Sequence, residues 1–378
     1  MKPIALSDIR QQNLRKMLGL LTLAPAMTRQ ELARATGLSL MTVTNLVDAL
    51  KQQEVLRLVP IDRPMGTGRK AEAISLRGDS KAWLAVNISG RQLQLMLMGF
   101  DMKPLYELES GGEGDHVENI RAFLAQAKEE MPAVLGEREL LGVAVVTPGP
   151  YEIDSDTVSN QRIPELNGVK IKQLFTECLG AYEYYVDEDV KFAVRAFFGA
   201  IEQHHYEMLY YLFIGEGVGG AVVHNGDMLR GRNATAGDAG QLADRDGKPY
   251  ERRLSLAAFV RLAGLDAGGT PEQLQQRIDE LIRSAPDRYA AALTQAADVT
   301  AEMLHDVVWL LDPACIIIDC RYDRDGAFIR QVKQALQDRF AGTGRILPEI
   351  VAPRRQISST LRGAVQVLQR AWIERKLG

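Results

Sequence analysis

Cysteine is scarce. The 378 residues hold three, Cys178, Cys315 and Cys320, too few and too scattered for a disulfide framework or a zinc cage. A reducing compartment fits. Long apolar runs are also missing. None can cross a bilayer, and the N-terminal residues lack the pattern of a secretory leader. Together these absences predict a cytoplasmic chain with no membrane partner. What remains is ordinary for a globular protein, with 46% hydrophobic and 25% charged residues and enough length for two or three domains. The net charge of −4 argues against nucleic acid only if charge is spread evenly, and it is not. Residues 1–80 carry 12 Lys and Arg against 7 Asp and Glu, and the remainder 33 against 42. A basic N-terminal module on an acidic body is expected when only the module touches phosphate.

The basic end contains MTRQELARATGLSLMTVTNLVDALKQQ, Met27 to Gln53. Thr28 and Glu31 make a capping box that opens a helix. Gly37 ends it in a tight turn, and Ser39 caps a second helix. Val43, Leu46, Val47 and Leu50 then follow at helical spacing and predict one buried stripe. The opposite face presents Met41, Thr42, Thr44, Asn45 and Asp48. Two short helices joined by a glycine turn, the second with a small polar face, read as a helix-turn-helix. The plainer alternative is a helical hairpin that binds no nucleic acid.

Flanking segments favour the first reading. Ser7 to Leu23 predicts a preceding helix, buried through Leu14, Met17, Leu18 and Leu21. Val55–Val59 and 71–76 predict a hairpin around the loop DRPMGTGRK. Three helices and a hairpin make a winged helix. Its wing carries Arg63, Arg69 and Lys70 among glycines, suited to a narrow minor groove. Thr42, Thr44 and Asn45 are expected on base edges, Met41 on the same DNA-binding face, and Arg29, Ser39 and the wing on phosphate or the minor groove. The expected domains are 1–76 (winged helix), 77–82 (linker) and 83–378. After the linker, strands and helices alternate in two sets, with one helix expected from Lys191 to about Glu202, which indicates an α/β fold with two related lobes.

Several segments of the second part carry a family likeness: VAVVTPGP (143–150), LNGVKI (166–171), VDEDVKFAVRAFFGA (186–200) and FIGEGVGGAVVHNGDMLRGRNATAGDAGQL (213–242). In them the chain resembles the ROK family of repressors, open reading frames and sugar kinases, over nearly its whole length. The resemblance implies a two-lobed actin-like (ribonuclease H-like) domain behind the winged helix, and a sugar-responsive repressor. It also exposes departures. The kinases begin with D-x-G-G-T, which cradles phosphate with its Asp near magnesium. Here Asn87-Ile88-Ser89-Gly90-Arg91 stands in that place. The glycine loop 215–220 survives but carries Glu216, and it reads more readily as a hairpin between buried strands. Asp319-Cys320 replaces a Gly-Gly near the nucleoside. These changes argue against ATP chemistry and imply no cofactor and no catalytic residue.

The sugar-binding positions are partly kept. Glu188-Asp189 matches an Asn-Asp pair whose Asp is the catalytic base. Gly237-Asp238-Ala239-Gly240-Gln241 matches G-E-x-G-H. The family's cysteine-rich zinc segment should follow, but ADRDGKPYERRLSL holds no cysteine, so no structural metal is expected. Ser255 falls near that segment's sugar-binding Glu. Asn160, Glu188, Asp189, Asp238 and Gln241 are therefore the expected effector contacts. The altered set implies a changed ligand, and Arg162 and Lys191 leave room for an acidic one. A pocket that binds nothing is the plain alternative. The expectation is a repressor that binds double-stranded DNA as a homodimer or homotetramer and answers a sugar or sugar derivative. An active sugar kinase with an appended winged helix, or a regulator governed by a protein partner, are the alternatives.

Overall fold

The computed structural model describes residues 6–24, 26–60, 72–159, 163–200, 206–224, 227–353 and 360–377. The chain forms two compact units, Met1–Glu202 with Ile357–Gly378, and Gln203–Gln356.

The first unit opens with α1 (Leu6–Leu23), α2 (Arg29–Thr36) and α3 (Leu40–Gln52). The capping box is formed: the Glu31 carboxylate accepts from the Thr28 amide at 2.8 Å and Thr28 Oγ1 accepts from the Glu31 amide at 3.1 Å. Gly37 sits at φ 71°, a left-handed turn that a side chain would strain. Ser39 Oγ accepts from the Thr42 amide at 3.1 Å and starts α3. Leu32, Val43, Val47 and Leu50 are buried, each such aliphatic contributing roughly 1.5–3 kcal/mol. Strands β1 (Leu56–Pro60) and β2 (Glu72–Leu76) pair antiparallel. Reciprocal hydrogen bonds between Met27 and Ile74 tie the entry of α2 to this hairpin.

The rest of this unit is built on a five-stranded sheet. Its strands are β3 (Lys81–Asn87), β4 (Gln92–Gly99), β5 (Pro104–Gly111), β6 (Glu139–Thr147) and, after the short pair β7 (Tyr151–Glu152) and β8 (Thr157–Val158), β9 (Tyr184–Glu188). The order is β5-β4-β3-β6-β9. The first three form an antiparallel meander, and β3, β6 and β9 run parallel. β3 begins at Lys81, inside the stretch expected as a linker. Alternate residues face opposite sides of a strand. Ala82, Leu84 and Val86 therefore join α4 (His116–Leu135) and α5 (Ile171–Leu179) in one core. Trp83 and Ala85 join the other core, with the C-terminal helix Thr360–Leu377. There the Trp372 ring meets Trp83 and Phe100 edge-on at 6.5 and 5.4 Å. This second core is continuous with Leu14, Met17, Leu18 and Leu21 of α1. Helix α6 (Asp189–Ala200) follows β9 directly and packs on the C-terminal helix and α1. It starts two residues earlier than the sequence pattern suggests.

The second unit repeats the same scheme. Its strands are β10 (Met208–Ile214), β11 (Val218–His224), β12 (Asp227–Leu229), β13 (Cys315–Cys320) and β14 (Glu349–Val351). Their order is β12-β11-β10-β13-β14, again a meander followed by two parallel strands. Helices α7 (Glu251–Leu254), α8 (Leu256–Leu262), α9 (Pro271–Ser284), α10 (Pro286–Leu311) and α11 (Ala327–Arg339) complete it. The winged helix followed by two lobes of one topology is the α/β arrangement that the sequence predicts. Among the described residues no helix is long and apolar enough to cross a membrane.

Candidate nucleic-acid interface and effector site

The outward face of α3 is formed as the spacing requires. Met41, Asn45 and Asp48 are exposed, and Thr42 and Thr44 half-exposed. The hydroxyls of both threonines are already engaged. Thr42 Oγ1 lies 2.8 Å from Ser39 Oγ, and Thr44 Oγ1 donates to the Leu40 carbonyl at 2.8 Å. Asn45 is left as the exposed amide on this face. Arg29 lies 3.9 Å from Asp48, so it offsets the one acid on the outward side of α3. Leu40, next to Met41, is exposed as well, a position that periodicity alone did not single out. Arg63, Arg69 and Lys70 of the wing lie outside the described residues, as does Asn160.

In the first unit, the carboxyl ends of β3, β6 and β9 lie in register, through Asn87, Val146–Thr147 and Asp187–Glu188. Ligands of open α/β sheets bind outside such ends. Three acids and two cations gather at the last of them. Asp187 and Lys191 are 2% and 1% exposed. The Lys191 ammonium bonds the Glu188 carboxylate and lies 4.0 Å from Asp187, whose other oxygen is 3.8 Å from Arg195. Burial pushes Glu188 up to about 7, Lys191 opposing that rise while Asp187 and Asp189 add to it. Asp189 is the first residue of α6, and its Oδ1 accepts from the Val190 amide at 2.7 Å. The pair that matches Asn-Asp is thus part of a larger charged cluster. Asp187 is the member that the sequence pattern did not single out, and Lys191, expected to leave room for an acidic ligand, is buried and bound to Glu188.

The loop at the end of β3 is occupied by its own residues. Asn87 Oδ1 accepts from the Ser89 amide at 2.9 Å, which closes a tight turn. Arg91 is bound to Glu165 at 2.7 Å and to the Gly114 carbonyl at 3.3 Å. Behind it, buried His116 faces the Ile88 carbonyl at 3.4 Å, and burial holds its imidazole below the usual range.

In the second unit, Gly215–Gly217 is the hairpin turn between β10 and β11, with Glu216 exposed. The segment 237–241 lies directly on β11. A methyl at Gly240 would stand 2.0 Å from the Val218 carbonyl oxygen, and one at Gly220 2.3 Å from that of Gly237. These glycines allow backbone to meet backbone. The Tyr210 hydroxyl donates to the Gly237 carbonyl at 2.9 Å, next to half-buried Asp238, while Gln241 is exposed. Where the family pattern calls for cysteines, Asp244 organises the turn. Its carboxylate accepts from the amides of Asp246 and Lys248, both at 2.9 Å, and from Arg253 at 3.0 Å. The Lys248 amide above all holds Asp244 below the usual carboxylate range. Ser255 caps α8, accepting from the Ala258 amide at 3.4 Å. Tyr211 donates to Asp319 at 2.9 Å. Among the described residues no three His, Cys, Asp or Glu side chains gather as a metal would need.

The ROK family signature matches residues 83–371. The chain belongs to the ROK family. A winged helix-turn-helix DNA-binding signature matches residues 10–57. The ROK fold is shared with solved structures. A ROK family transcriptional regulator, a homolog of the E. coli MLC protein, superposes with a TM-score of 0.66 at 16% identity, over 97% of this chain and 98% of that one. A ROK family glucokinase from Streptomyces griseus, solved with glucose and AMPPNP, gives 0.61 at 18% identity, over 76% and 98%. A Sinorhizobium fredii protein, y4fQ, is 22% identical over 343 residues, 89% of this chain and 84% of its own length.

Proposed function

We propose that this ROK protein is a DNA-binding transcriptional regulator, a repressor of carbohydrate-metabolism genes. In this reading its ROK part senses a sugar or sugar derivative and transfers no phosphoryl group. The observation that carries the reading is the capped recognition helix with an outward polar face, joined to a ROK domain whose first phosphate loop is filled by Asn87 and Arg91. Phosphoryl transfer is mostly positioning and charge neutralisation. At position 87 an amide that closes its own turn stands where a magnesium-anchoring carboxylate would be needed. Glu216 adds charge of the wrong sign at the second phosphate loop. The MLC homolog supports the regulator reading because the two chains align over nearly their full lengths. The glucose held by the Streptomyces griseus glucokinase supports a carbohydrate ligand.

Asp189 keeps a role without ATP, since a carboxylate accepts hydrogen bonds from sugar hydroxyls. The route to DNA lies inside the first unit. Asp189 starts α6, Phe192 of α6 shares a core with α1, and α1 is the first helix of the DNA-binding module. A ligand that shifts α6 would bias the module through this packed element. The test is DNA release. Full-length protein bound to an operator fragment is titrated with a panel of sugars and sugar acids. One of them should release the DNA, and Asp189→Ala and Asp238→Ala should keep DNA binding but lose the release. Normal release by both variants would put the effector contacts elsewhere. Steady ADP formation that depends on one sugar and on Asp189 would establish the kinase instead.

A further inference from the structure

We propose that the tip of α3 reads thymine through its methyl group, with Leu40 and Met41 as the residues that set sequence preference. The proposal rests on the DNA-binding reading and specifies the chemistry of the bases it recognises. Leu40 is 49% exposed and Met41 76% exposed. A single exposed apolar side chain needs no explanation. Here two stand side by side in the first turn of the recognition helix. Thr44 and Asn45 follow one turn later on the same face, by helical spacing. The N-terminal turn of this helix is the part that meets base edges in helix-turn-helix proteins.

The hydrogen-bonding inventory points the same way. Thr42 and Thr44 have their hydroxyls engaged with Ser39 and the Leu40 carbonyl. Beside these hydroxyls, which keep lone pairs to accept with, the tip offers one exposed amide, Asn45, and two large apolar groups. In the major groove, thymine is the base that carries a C5 methyl, and an Asn amide matches adenine at N6 and N7. An A·T pair can thus be read on both members by this one face. Met41 is unbranched and adapts to an irregular apolar surface, while Leu40 is held near the Ser39 cap. Neither contributes to the buried stripe of α3, so replacing them leaves the core of the module intact.

The experiment uses the full chain and duplexes selected by it from a random library. In a selected duplex each thymine is replaced in turn by uracil, which removes only the methyl. Affinity is read by fluorescence anisotropy at fixed salt. At one or two positions in each half-site the replacement should weaken wild-type binding about four-fold, the value of one buried methyl-sized group. Met41→Ala or Leu40→Ala should erase that penalty at its own position. A selected duplex in which no uracil replacement changes affinity would overturn the methyl reading while leaving the regulator reading in place. A full uracil penalty in both variants would do the same. Failure to select any preferred duplex would remove the DNA-binding reading itself, and this proposal with it.

Discussion

Glu188 shows how one side chain links the candidate site to stability. Burial raises it to about 7, against an ordinary unfolded value of about 4.3. Between about pH 4.5 and 7 the folded chain holds a proton that the unfolded chain has lost. Stability should therefore fall as pH rises through this window and level off above it. Glu188→Gln should flatten the dependence. Urea midpoints at pH 5 and pH 7.5 for both proteins check this, and an equal slope in the variant would assign the effect to another group. Asp244 has the opposite sign. Its lowered pKa stabilises the fold above the ordinary carboxylate value, and that support is lost as pH falls through the folded value. Asp244→Ala should speed amide exchange at Asp246 and Lys248, whose N–H groups lose their acceptor. Unchanged exchange there would mean that the turn is held without the carboxylate.

At the scale of elements, two packing choices decide whether the site segments stand where they do. Ser39 is the cap of α3, and removing such a cap costs about 1 kcal/mol. Ser39→Ala should lower specific DNA affinity and also loosen the first turn, seen as a loss of protection at the Thr42 amide. A variant that keeps that protection would show that the cap is dispensable. In the other unit, the 237–241 segment can lie on β11 only because Gly240 has no side chain. Gly240→Ala places a methyl within 2.0 Å of a backbone oxygen, where neither partner is a flexible side-chain end. The cost should be about 1–3 kcal/mol, measured by urea unfolding. An effector response weakened in step with stability would tie Asp238 to that backbone contact.

At the scale of the whole molecule, the DNA-binding module and the first lobe share one apolar core. Leu14, Met17, Leu18 and Leu21 belong to the same cluster as Trp83, Phe100, Val365 and Trp372. The C-terminal helix is central to it, and Gln369 donates to the buried Phe100 carbonyl at 2.9 Å. Trp372→Ala should leave a large cavity and cost about 3–5 kcal/mol. Because the cavity lies in the shared core, DNA affinity should fall along with the stability of the first lobe. Anisotropy on a selected duplex, beside thermal unfolding, checks it. Full DNA affinity in a destabilised variant would mean that the module holds its shape without the lobe. A near-palindromic operator would further require a dimer at least, which sedimentation of the DNA complex would count.

The sequence by itself determined the elements whose causes are local. The helix-turn-helix was legible because its capping box, its left-handed Gly37, its Ser39 cap and its apolar stripe all act within about thirty residues. The longer strands of both sheets were legible because each is an apolar or alternating run of strand length. Short β12, β14 and the β7–β8 pair were not, since two or three residues carry no period. The start of α6 at Asp189 rather than Lys191 was also missed, because an acid at a helix start reads the same as a cap or as the first helical residue. Tertiary structure alone decided what depends on distant neighbours. It returned Ile357–Gly378 to the first unit, buried Lys191 against Glu188, set Gly240 against Val218 and fastened Arg91 to Glu165. Burial and ion pairing join residues far apart in the chain, and no local pattern records which of them will meet.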